Sequence, residues 1–307
     1  MNELQFPVGA TTESWLKANG FDQISLSRLI GGSTRNHCYL LSNHRNEKIV
    51  AKISSSGNDD VFDKEAHGLS MLASTHSIRI PQVLHVTPQC LIMEYIEEAR
   101  QANNYWSTLA SQLAALHQYP LTGHSQSQSQ SQSQSESQSE SFGLEHDNYC
   151  GDNRQANGWY EDGHQFFSDQ RLLHQARQAF DNGYLESPWV IHIESICERL
   201  PELIPAQPPS LLHGDLWSGN ILGDEYGQPT LIDPAVYYGW READIAMTLL
   251  FGGLPHEFYL AYEEAWPMEP RWRSRVPLYN LYHLLNHLNI FGISYLEQVQ
   301  STIGRYA

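Results

Sequence analysis

The chain has 307 residues, 41% of them hydrophobic and 17% charged, and it carries a formal net charge of −17. This composition is typical of a globular protein and excludes a disordered or fibrous chain, and at this length one hydrophobic core usually divides into two lobes. The excess of acidic residues argues against a nucleic-acid partner and against docking on anionic lipid, because both require a basic face.

The sequence indicates neither export nor membrane insertion. Its beginning lacks the basic and apolar regions of a signal peptide, and no apolar run reaches the roughly 18 residues that a membrane helix needs. The four cysteines include no C-x-x-C pair, and the 15 histidines form no zinc-binding motif. We therefore expect a cytoplasmic protein with reduced thiols and without a structural zinc site; the sequence leaves its oligomeric state undefined.

Residues 1–97 are predicted to form a small lobe of strands around one helix. β-branched and apolar runs mark the strands, Gly31 and Gly32 separate the first strand from the second, and an apolar face with helical spacing marks the helix. The predicted segments are strands at 24–29, 38–42 and 48–54, a helix at 60–74, and strands at 80–84 and 91–96.

Residues 98–307 are predicted to form a larger, mainly helical lobe, which makes the fold class α+β. Its first helix spans 106–117, and the aromatic residues between 251 and 266 have helical spacing and are interpreted as core. Residues 125–141 alternate Ser with Gln or Glu and have no apolar face to bury. Such a run cannot offset its ordering entropy, so we expect a disordered surface insertion within this lobe.

The most polar segment, residues 211–234, has the order of residues that phosphoryl transfer requires. An apolar strand leads into Asp215, Asn220 follows five residues later, and a return strand ends at Asp233. A hairpin of this length brings Asn220 and Asp233 to the same end, beside the loop that carries Asp215. One Asp can then accept the proton of the attacking hydroxyl, while the Asn and the second Asp supply oxygen ligands for Mg²⁺.

A structural alternative for this segment stays open. Isolated Asp and Asn residues most often stabilise turns, and two acidic turns flanking a surface hairpin would contain the same residue types. The ordered occurrence of Asp215, Asn220 and Asp233 between apolar strands matches the spacing of a kinase catalytic loop and metal-binding segment, which favours the kinase-like interpretation.

The small lobe supplies a cation for nucleotide phosphates. Lys52 lies in the strand-like run Val50-Ala51-Lys52-Ile53, and Glu65 lies on the following helix. A carboxylate can hold the ammonium group in a fixed position, where it contacts the α- and β-phosphates of ATP. The alternative is a solvated strand lysine and a solvated helix glutamate, but their order in the chain favours the functional interpretation.

Two further nucleotide contacts are predicted from position alone. Gly31 and Gly32, with the two residues after them, can let backbone N–H groups approach phosphate. A plain hairpin turn is an equal alternative, and the sequence contains no Walker A motif. The strand end at Glu94 and Ile96 precedes the change of lobe, so its backbone is the predicted hinge for adenine.

At these motifs the sequence resembles the fructosamine kinase (ketosamine 3-kinase) family, a branch of the aminoglycoside phosphotransferase and protein-kinase-like superfamily. The segment 209–220, PSLLHGDLWSGN, is similar to the family's catalytic loop, and 233–247 is similar to its metal-binding stretch and following helix. Residues 62–69 resemble its small-lobe helix, and 278–289 resemble its C-terminal helix. The resemblance covers nearly the whole chain outside 125–141 and implies a two-lobed, protein-kinase-like α+β fold.

The resemblance also implies an activity. The family's chemistry is transfer of the γ-phosphoryl group of ATP, with Mg²⁺, to a sugar hydroxyl of a fructosamine or related ketosamine, O3 in its named activity. The acceptor partner is then a small ketosamine or glycated amine. The implied roles are Asp215 as base, Asn220 and Asp233 as Mg²⁺ ligands, and Lys52 with Glu65 as ATP-binding residues.

Trp217 and His287 are the candidate contacts of the acceptor. Trp217 lies two residues after the predicted base, where an aromatic ring can stack on a sugar. His287 is a polar residue on an otherwise apolar helix. Each has a packing role as its alternative, because aromatic and polar residues in such positions often serve the core.

Other functions use the same catalytic residues. A kinase for an aminoglycoside or choline would differ only in the acceptor pocket, and a pseudokinase would bind nucleotide without transfer. The presence of Asp215, Asn220, Asp233, Lys52 and Glu65 together argues against a pseudokinase. A protein kinase is disfavoured because no A-P-E segment follows Asp233.

Overall fold

The computed structural model describes residues 8–32, 35–54, 60–120 and 141–306. The predicted insertion lies outside the described residues except for Ser141, and so do the two residues that follow Gly32. Within the described ranges, no helix has both the length and the apolar character needed to cross a membrane. All four cysteines are free thiols.

The first part of the chain forms a five-stranded antiparallel sheet and two helices. The elements are α1 (Ala10–Ala18), β1 (Ile24–Gly32), β2 (Asn36–Asn43), β3 (Lys48–Ser54), α2 (Val61–Ser74), β4 (Val83–Thr87) and β5 (Cys90–Glu94). The strands pair in the order β1-β2-β3-β5-β4, which places β3 at the centre of the sheet. The boundary of the small lobe at residue 97 stays a prediction.

The alternation of side chains along β3 directs Lys52 toward α2. Successive side chains of a strand point to opposite faces of its sheet. Ile49, Ala51 and Ile53 are buried in a hydrophobic cluster shared with α1. Lys52 therefore lies on the opposite face, where it meets Glu65 of α2.

The rest of the chain is mainly helical, with short two-stranded hairpins between helices. Its elements are α3 (Tyr105–His117), β6 (Asn148–Cys150), β7 (Asn153–Gln155), α4 (Gly163–Phe166), α5 (His174–Asp181), α6 (Ser187–Glu198), α7 (Leu200–Leu203), β8 (Ser210–Leu212), β9 (Ile221–Gly223), β10 (Pro229–Leu231), β11 (Tyr237–Gly239), α8 (Glu242–Leu250), α9 (His256–Ala265), α10 (Trp272–Phe291) and α11 (Leu296–Ile303). One hydrophobic cluster runs from α2 through α3 to α9, and a second surrounds α10. The first cluster packs α2 of the sheet region directly against the helical region.

The structure moves two predicted strands and corrects one core assignment. The strand predicted at 80–84 begins only at Val83, because Pro81 has no N–H to donate to a ladder. The strand predicted at 91–96 ends at Glu94. Phe251 is 43% exposed and is therefore not a core residue: α8 ends at Leu250, so the helical spacing that suggested burial does not continue through it.

Candidate active site

The loop after β8 is fixed by hydrogen bonds from its backbone to one buried carboxylate. The N–H groups of His213 and Gly214 donate to Asp244 at 2.7 and 2.9 Å. Gly214 has a φ of 81°, and a Cβ at this position would overlap the carbonyl oxygen of Ala235. Only glycine tolerates both conditions. The chain therefore turns sharply at Gly214 and presents Asp215 beyond the end of the strand.

The hairpin formed by β9 and β10 brings the other predicted polar residues to this loop. Its antiparallel register lets the Ile232 N–H donate to the carbonyl of Asn220 at 3.1 Å, so Asp233 leaves the hairpin beside Asn220. Asn220 Nδ2 donates to the carbonyl of Asp215 at 2.8 Å and to its Oδ2 at 3.2 Å. Asp215, Asn220 and Asp233 thus converge as the spacing predicted.

Lys52 connects the sheet to this loop. Its Nζ lies 2.6 Å from Glu65 and 2.6 Å from Asp233. Burial by itself lowers the pKa of Lys52, but the charges of Asp233 and Glu65 outweigh burial and raise that pKa above its ordinary value. The ammonium group is therefore charged at neutral pH and is held between two carboxylates.

Asp215 has the environment of a proton acceptor near neutral pH. Burial and the negative charge of Asp233 raise the pKa of Asp215 from 3.8 to about 7, although the hydrogen bond from Asn220 opposes them. Cys150 and His283 lie beside it, with donor atoms within 4.8 Å of one another and of the carboxylate. These two neighbours are not predictable from the sequence, because they come from β6 and α10, which are far from Asp215 in the chain.

The donor set around Asp215 fits a magnesium ion. Carboxylate and amide oxygens are hard ligands of the kind Mg²⁺ prefers. Because Asn220 directs its Nδ2 to Asp215, its Oδ1 is the atom available to a metal. Asp233 adds a partly exposed carboxylate that already holds the ammonium group of Lys52. The residues present are therefore chemically suited to a metal–phosphate complex.

Gly31 and Gly32 lie at the end of β1 and not in a separate loop. They pair with Cys38 and His37 of β2, and Cys38 pairs in turn with Lys52 of β3. Gly31 and Lys52 are thus two strands apart in the same row of the sheet, about 10 Å by the usual strand spacing. A Cβ on Gly32, whose φ is 143°, would overlap the carbonyl oxygen of Asn36.

The side chain of Glu94 is engaged in an ion pair. It contacts Arg79 at 2.7 Å, and Arg79 also contacts Asp224 at 2.8 Å and Glu225 at 2.6 Å. Arg79 therefore joins the end of β5 to the hairpin that carries the candidate active-site residues. The role of Arg79 is not predictable from the sequence, because the residue is not part of a recognisable motif. Ile96, the other predicted hinge residue, is buried.

The two candidate acceptor contacts lie along one row of rings. Trp217 is exposed, and its ring centroid is 5.9 Å from that of Phe251, which is 5.4 Å from that of His287. Burial lowers the pKa of His287 to about 4, so its imidazole is neutral. Phe251, interpreted from sequence as core, instead connects the other two rings.

Comparisons with known proteins agree over nearly the whole chain. The family model for fructosamine kinase matches residues 9–307. A protein of Synechocystis sp. with the name "Probable ketoamine kinase" is 35% identical over 286 residues, which are 92% of this chain and 90% of that one. The crystal structure of a Thermobifida fusca protein with the name "putative fructosamine-3-kinase" superposes with a TM-score of 0.81 at 30% identity and covers 97% of this chain and 98% of its own.

A more distant likeness shows how widely the fold is shared. The aminoglycoside phosphotransferase APH(2'')-IIa, solved with streptomycin and ATP, superposes with a TM-score of 0.63 at 16% identity, covering 97% of this chain and 99% of its own. That likeness shows the two-lobed, kinase-like α+β fold alone. The family match and the identity to the ketoamine kinase go further. The chain belongs to the fructosamine kinase family.

Proposed function

We propose that this protein is a kinase that transfers the γ-phosphoryl group of ATP to a sugar hydroxyl of a ketosamine. The single observation that carries the proposal is the convergence of Asp215, Asn220 and Asp233 with the Lys52–Glu65 pair. Family membership supplies the class of acceptor, because the matching family and the related ketoamine kinase carry that activity in their names.

Asp215 is the proposed general base. It lies at the sharp turn after β8, and its pKa of about 7 suits a group that must accept a proton at neutral pH. In the proposed step it takes the proton of the sugar hydroxyl as that oxygen attacks the γ-phosphorus of ATP, the bond from this phosphorus to the bridging oxygen breaks, and ADP leaves. Asn220 holds the carboxylate in place from one side, and the Asp244 anchor fixes the backbone before it.

Lys52 and Glu65 are proposed to hold the nucleotide. Glu65 orients the Lys52 ammonium group, which can then neutralise the α- and β-phosphates. Backbone groups at Gly31, in the same row of the sheet as Lys52, and at Gly32, in the next row, are proposed to cover the phosphates.

The remaining nucleotide and metal contacts follow the same proposal. The backbone at Glu94 and Ile96 is proposed to border the adenine, since the Glu94 side chain is engaged by Arg79. Asn220 and Asp233 are the proposed magnesium ligands. When bound, Mg²⁺ would supply positive charge to the β- and γ-phosphate oxygens.

Trp217 and His287 are proposed to border the acceptor. Both belong to the ring row that starts two residues beyond Asp215, so a sugar delivered to the base would meet aromatic faces. The neutral imidazole of His287 can offer a hydrogen bond without repelling the cationic amine of a ketosamine.

The test measures ADP release with ATP and Mg²⁺ over a panel of ketosamines, aminoglycosides and choline. The expected result is turnover that depends on a ketosamine and that is lost in Asp215→Ala. Asp181→Ala is the matched control, because Asp181 is an exposed aspartate at the end of α5. Release that depends only on an aminoglycoside or choline would reassign the acceptor, and nucleotide binding without any transfer would support a pseudokinase instead.

A further inference from the structure

A second cluster of metal-ligating side chains lies where α2 packs on the large lobe. His67 comes from α2, two residues after Glu65, while Glu145 and His146 lie just before β6. One donor atom from each residue lies within 4.8 Å of the other two. His67 and His146 are 79 positions apart in the chain, so the cluster does not correspond to a local zinc-binding motif in the sequence.

The distances within the cluster suit a tetrahedral ion. His67 Nδ1 is 2.8 Å from His146 Nε2, and Glu145 Oε1 is 3.7 Å from His67 Nε2 and 3.6 Å from His146 Nε2. Zinc bonds of about 2.0–2.1 Å place tetrahedral donor atoms about 3.4 Å apart. The Nε2 atom of each ring is already near that separation from the Glu145 oxygen. His67 contacts His146 through Nδ1, its other ring nitrogen, so a rotation of the His67 imidazole would replace this hydrogen bond and bring the two Nε2 atoms to one ion.

One of the imidazoles is oriented for ligation in advance. His146 Nδ1 lies 3.2 Å from the carbonyl oxygen of Asp147, and an Nδ1–H donated there leaves the lone pair on Nε2, the atom that faces His67 and Glu145. Such an outer hydrogen bond is the usual companion of a metal-binding histidine. Asp147 is itself held by Arg154 at 2.9 Å and by the Asn157 N–H at 2.8 Å.

The cluster is open to solvent on one side. The side chains of His67, Glu145 and His146 are 34%, 41% and 28% exposed. An ion can therefore enter from water and can keep a water molecule as its fourth ligand, as zinc does in sites with three protein ligands. Two imidazoles and one carboxylate select zinc or a similar transition-metal ion over Mg²⁺, which prefers oxygen ligands alone.

We propose that His67, Glu145 and His146 form a binding site for Zn²⁺ that clamps α2 to the segment before β6. The same contact surface already contains the hydrogen bond from Tyr149 to Asp60, at 2.7 Å, near the start of α2. Because α2 also carries Glu65, an ion at His67 would restrain the helix that positions Lys52. The site is separate from the proposed magnesium ligands and does not depend on the proposed reaction.

The binding test uses the full chain after treatment with a chelator, in excess Mg²⁺, with calorimetric titration of Zn²⁺. The wild type is expected to bind one ion at this site. His146→Ala should weaken that binding by more than about 100-fold, because loss of even an outer-shell partner of a metal ligand costs roughly 10- to 100-fold. His192→Ala, at an exposed histidine of α6, is the matched control and should bind as the wild type does. Equal binding by wild type and His146→Ala, or no binding by either, would overturn the proposal.

A second variant separates loss of a ligand from loss of structure. Glu145→Gln keeps the size of the side chain and should retain the wild-type circular dichroism while losing the intense visible absorption of tetrahedral Co²⁺ added in place of zinc. An unchanged cobalt spectrum would remove Glu145 from the site. Hydrogen exchange tests the clamp: Zn²⁺ should slow amide exchange in α2 of the wild type and not of His146→Ala. Exchange that zinc leaves unchanged in the wild type would overturn the clamp.

Discussion

Two carboxylates near the turn after β8, those of Asp244 and Asp215, have pKa values shifted in opposite directions. Asp244 is only 1% exposed, yet its pKa lies below the ordinary value: burial raises it, but His117 and the backbone N–H groups of the loop outweigh burial. Asp215 is less buried, and its pKa is raised to about 7. The more deeply buried group is thus the more firmly ionised.

The difference lies in the donors that surround each group. Asp244 accepts hydrogen bonds from His213 N–H and Gly214 N–H and lies 3.2 Å from His117 Nε2. Among the residues that the structure describes, Asp215 receives one side-chain hydrogen bond, from Asn220, and it faces the negative charge of Asp233. Hydrogen-bond donors therefore keep the pKa of Asp244 low and make it an anchor for the loop, and their scarcity leaves the pKa of Asp215 near neutral.

The largest expected effect is the loss of catalysis in Asp215→Asn. If Asp215 is the base, kcat should fall roughly 10²- to 10⁴-fold, the usual contribution of general-base catalysis. The fold should survive, because the substitution removes a charge that its site disfavours. Steady-state ADP release and urea unfolding measure the two properties on the same sample.

The matched control for this variant is Asp181→Asn, which removes an exposed carboxylate of α5. It should change neither activity nor stability. A kcat within a few-fold of wild type in Asp215→Asn would show that the raised pKa of Asp215 serves no proton transfer.

The pH dependence of stability gives the next largest effect. The pKa of Asp215 is about 7 in the folded protein and about 3.9 when unfolded, so between these values the folded state keeps a proton that the unfolded state has released. The free energy of unfolding of the wild type should therefore fall as pH rises, by at most about 4 kcal/mol relative to Asp215→Asn. Urea unfolding in EDTA from pH 4 to 8 measures the difference in unfolding free energy between the wild type and Asp215→Asn. If this difference does not change with pH, Asp215 is ionised in the folded protein throughout this range.

Asp244→Asn should have the reverse profile. In this variant the NH₂ group of the asparagine side chain replaces one carboxylate oxygen, so one of the two loop N–H groups loses its acceptor. The loss of charge-assisted hydrogen bonds should lower the free energy of unfolding by about 3 kcal/mol at pH 7. Because the folded pKa of Asp244 is depressed, its contribution is complete above its unfolded pKa, about 3.9, and is lost as pH falls through the folded value.

Urea unfolding at neutral and acid pH checks this prediction, with Asp181→Asn again as control. The deficit of Asp244→Asn should shrink below about pH 4, where the deficit of an ordinary packing defect would persist. A deficit that does not change with pH would show that Asp244 acts through its shape and not through its charge.

The sequence predicted the parts of this site that are local in the chain. Asp215, Asn220 and Asp233 are joined by a short loop and one hairpin, so their spacing constrains where they meet. The pairing of Lys52 with Glu65 followed from a strand and the helix after it. The α+β fold and the family were predicted through the same motifs and are confirmed by the comparisons.

What could not be predicted depends on side chains meeting across the fold. Arg79 contacts Glu94 and, 145 positions along the chain, Asp224, and no spacing rule connects such partners. His67 meets Glu145 and His146 for the same reason. The sequence predicts a loop at Gly31 because glycine usually breaks strands, yet sheet pairing with Cys38 overrides that local preference.

The smallest expected effect tests how far the Asp244 anchor extends. The hydroxyl of Tyr262 lies 2.7 Å from His117 Nδ1, and Nε2 of the same ring lies 3.2 Å from Asp244. Tyr262→Phe removes the outer hydrogen bond and leaves the two loop N–H groups on Asp244 intact, so it should cost about 1 kcal/mol of unfolding free energy and leave kcat within a few-fold of wild type. Tyr226→Phe, at a ring that is 76% exposed, is the control and should change neither. Tyr262→Phe could instead lower the free energy of unfolding as much as Asp244→Asn does. That result would show that Asp244 holds the loop only when Tyr262 orients the His117 imidazole.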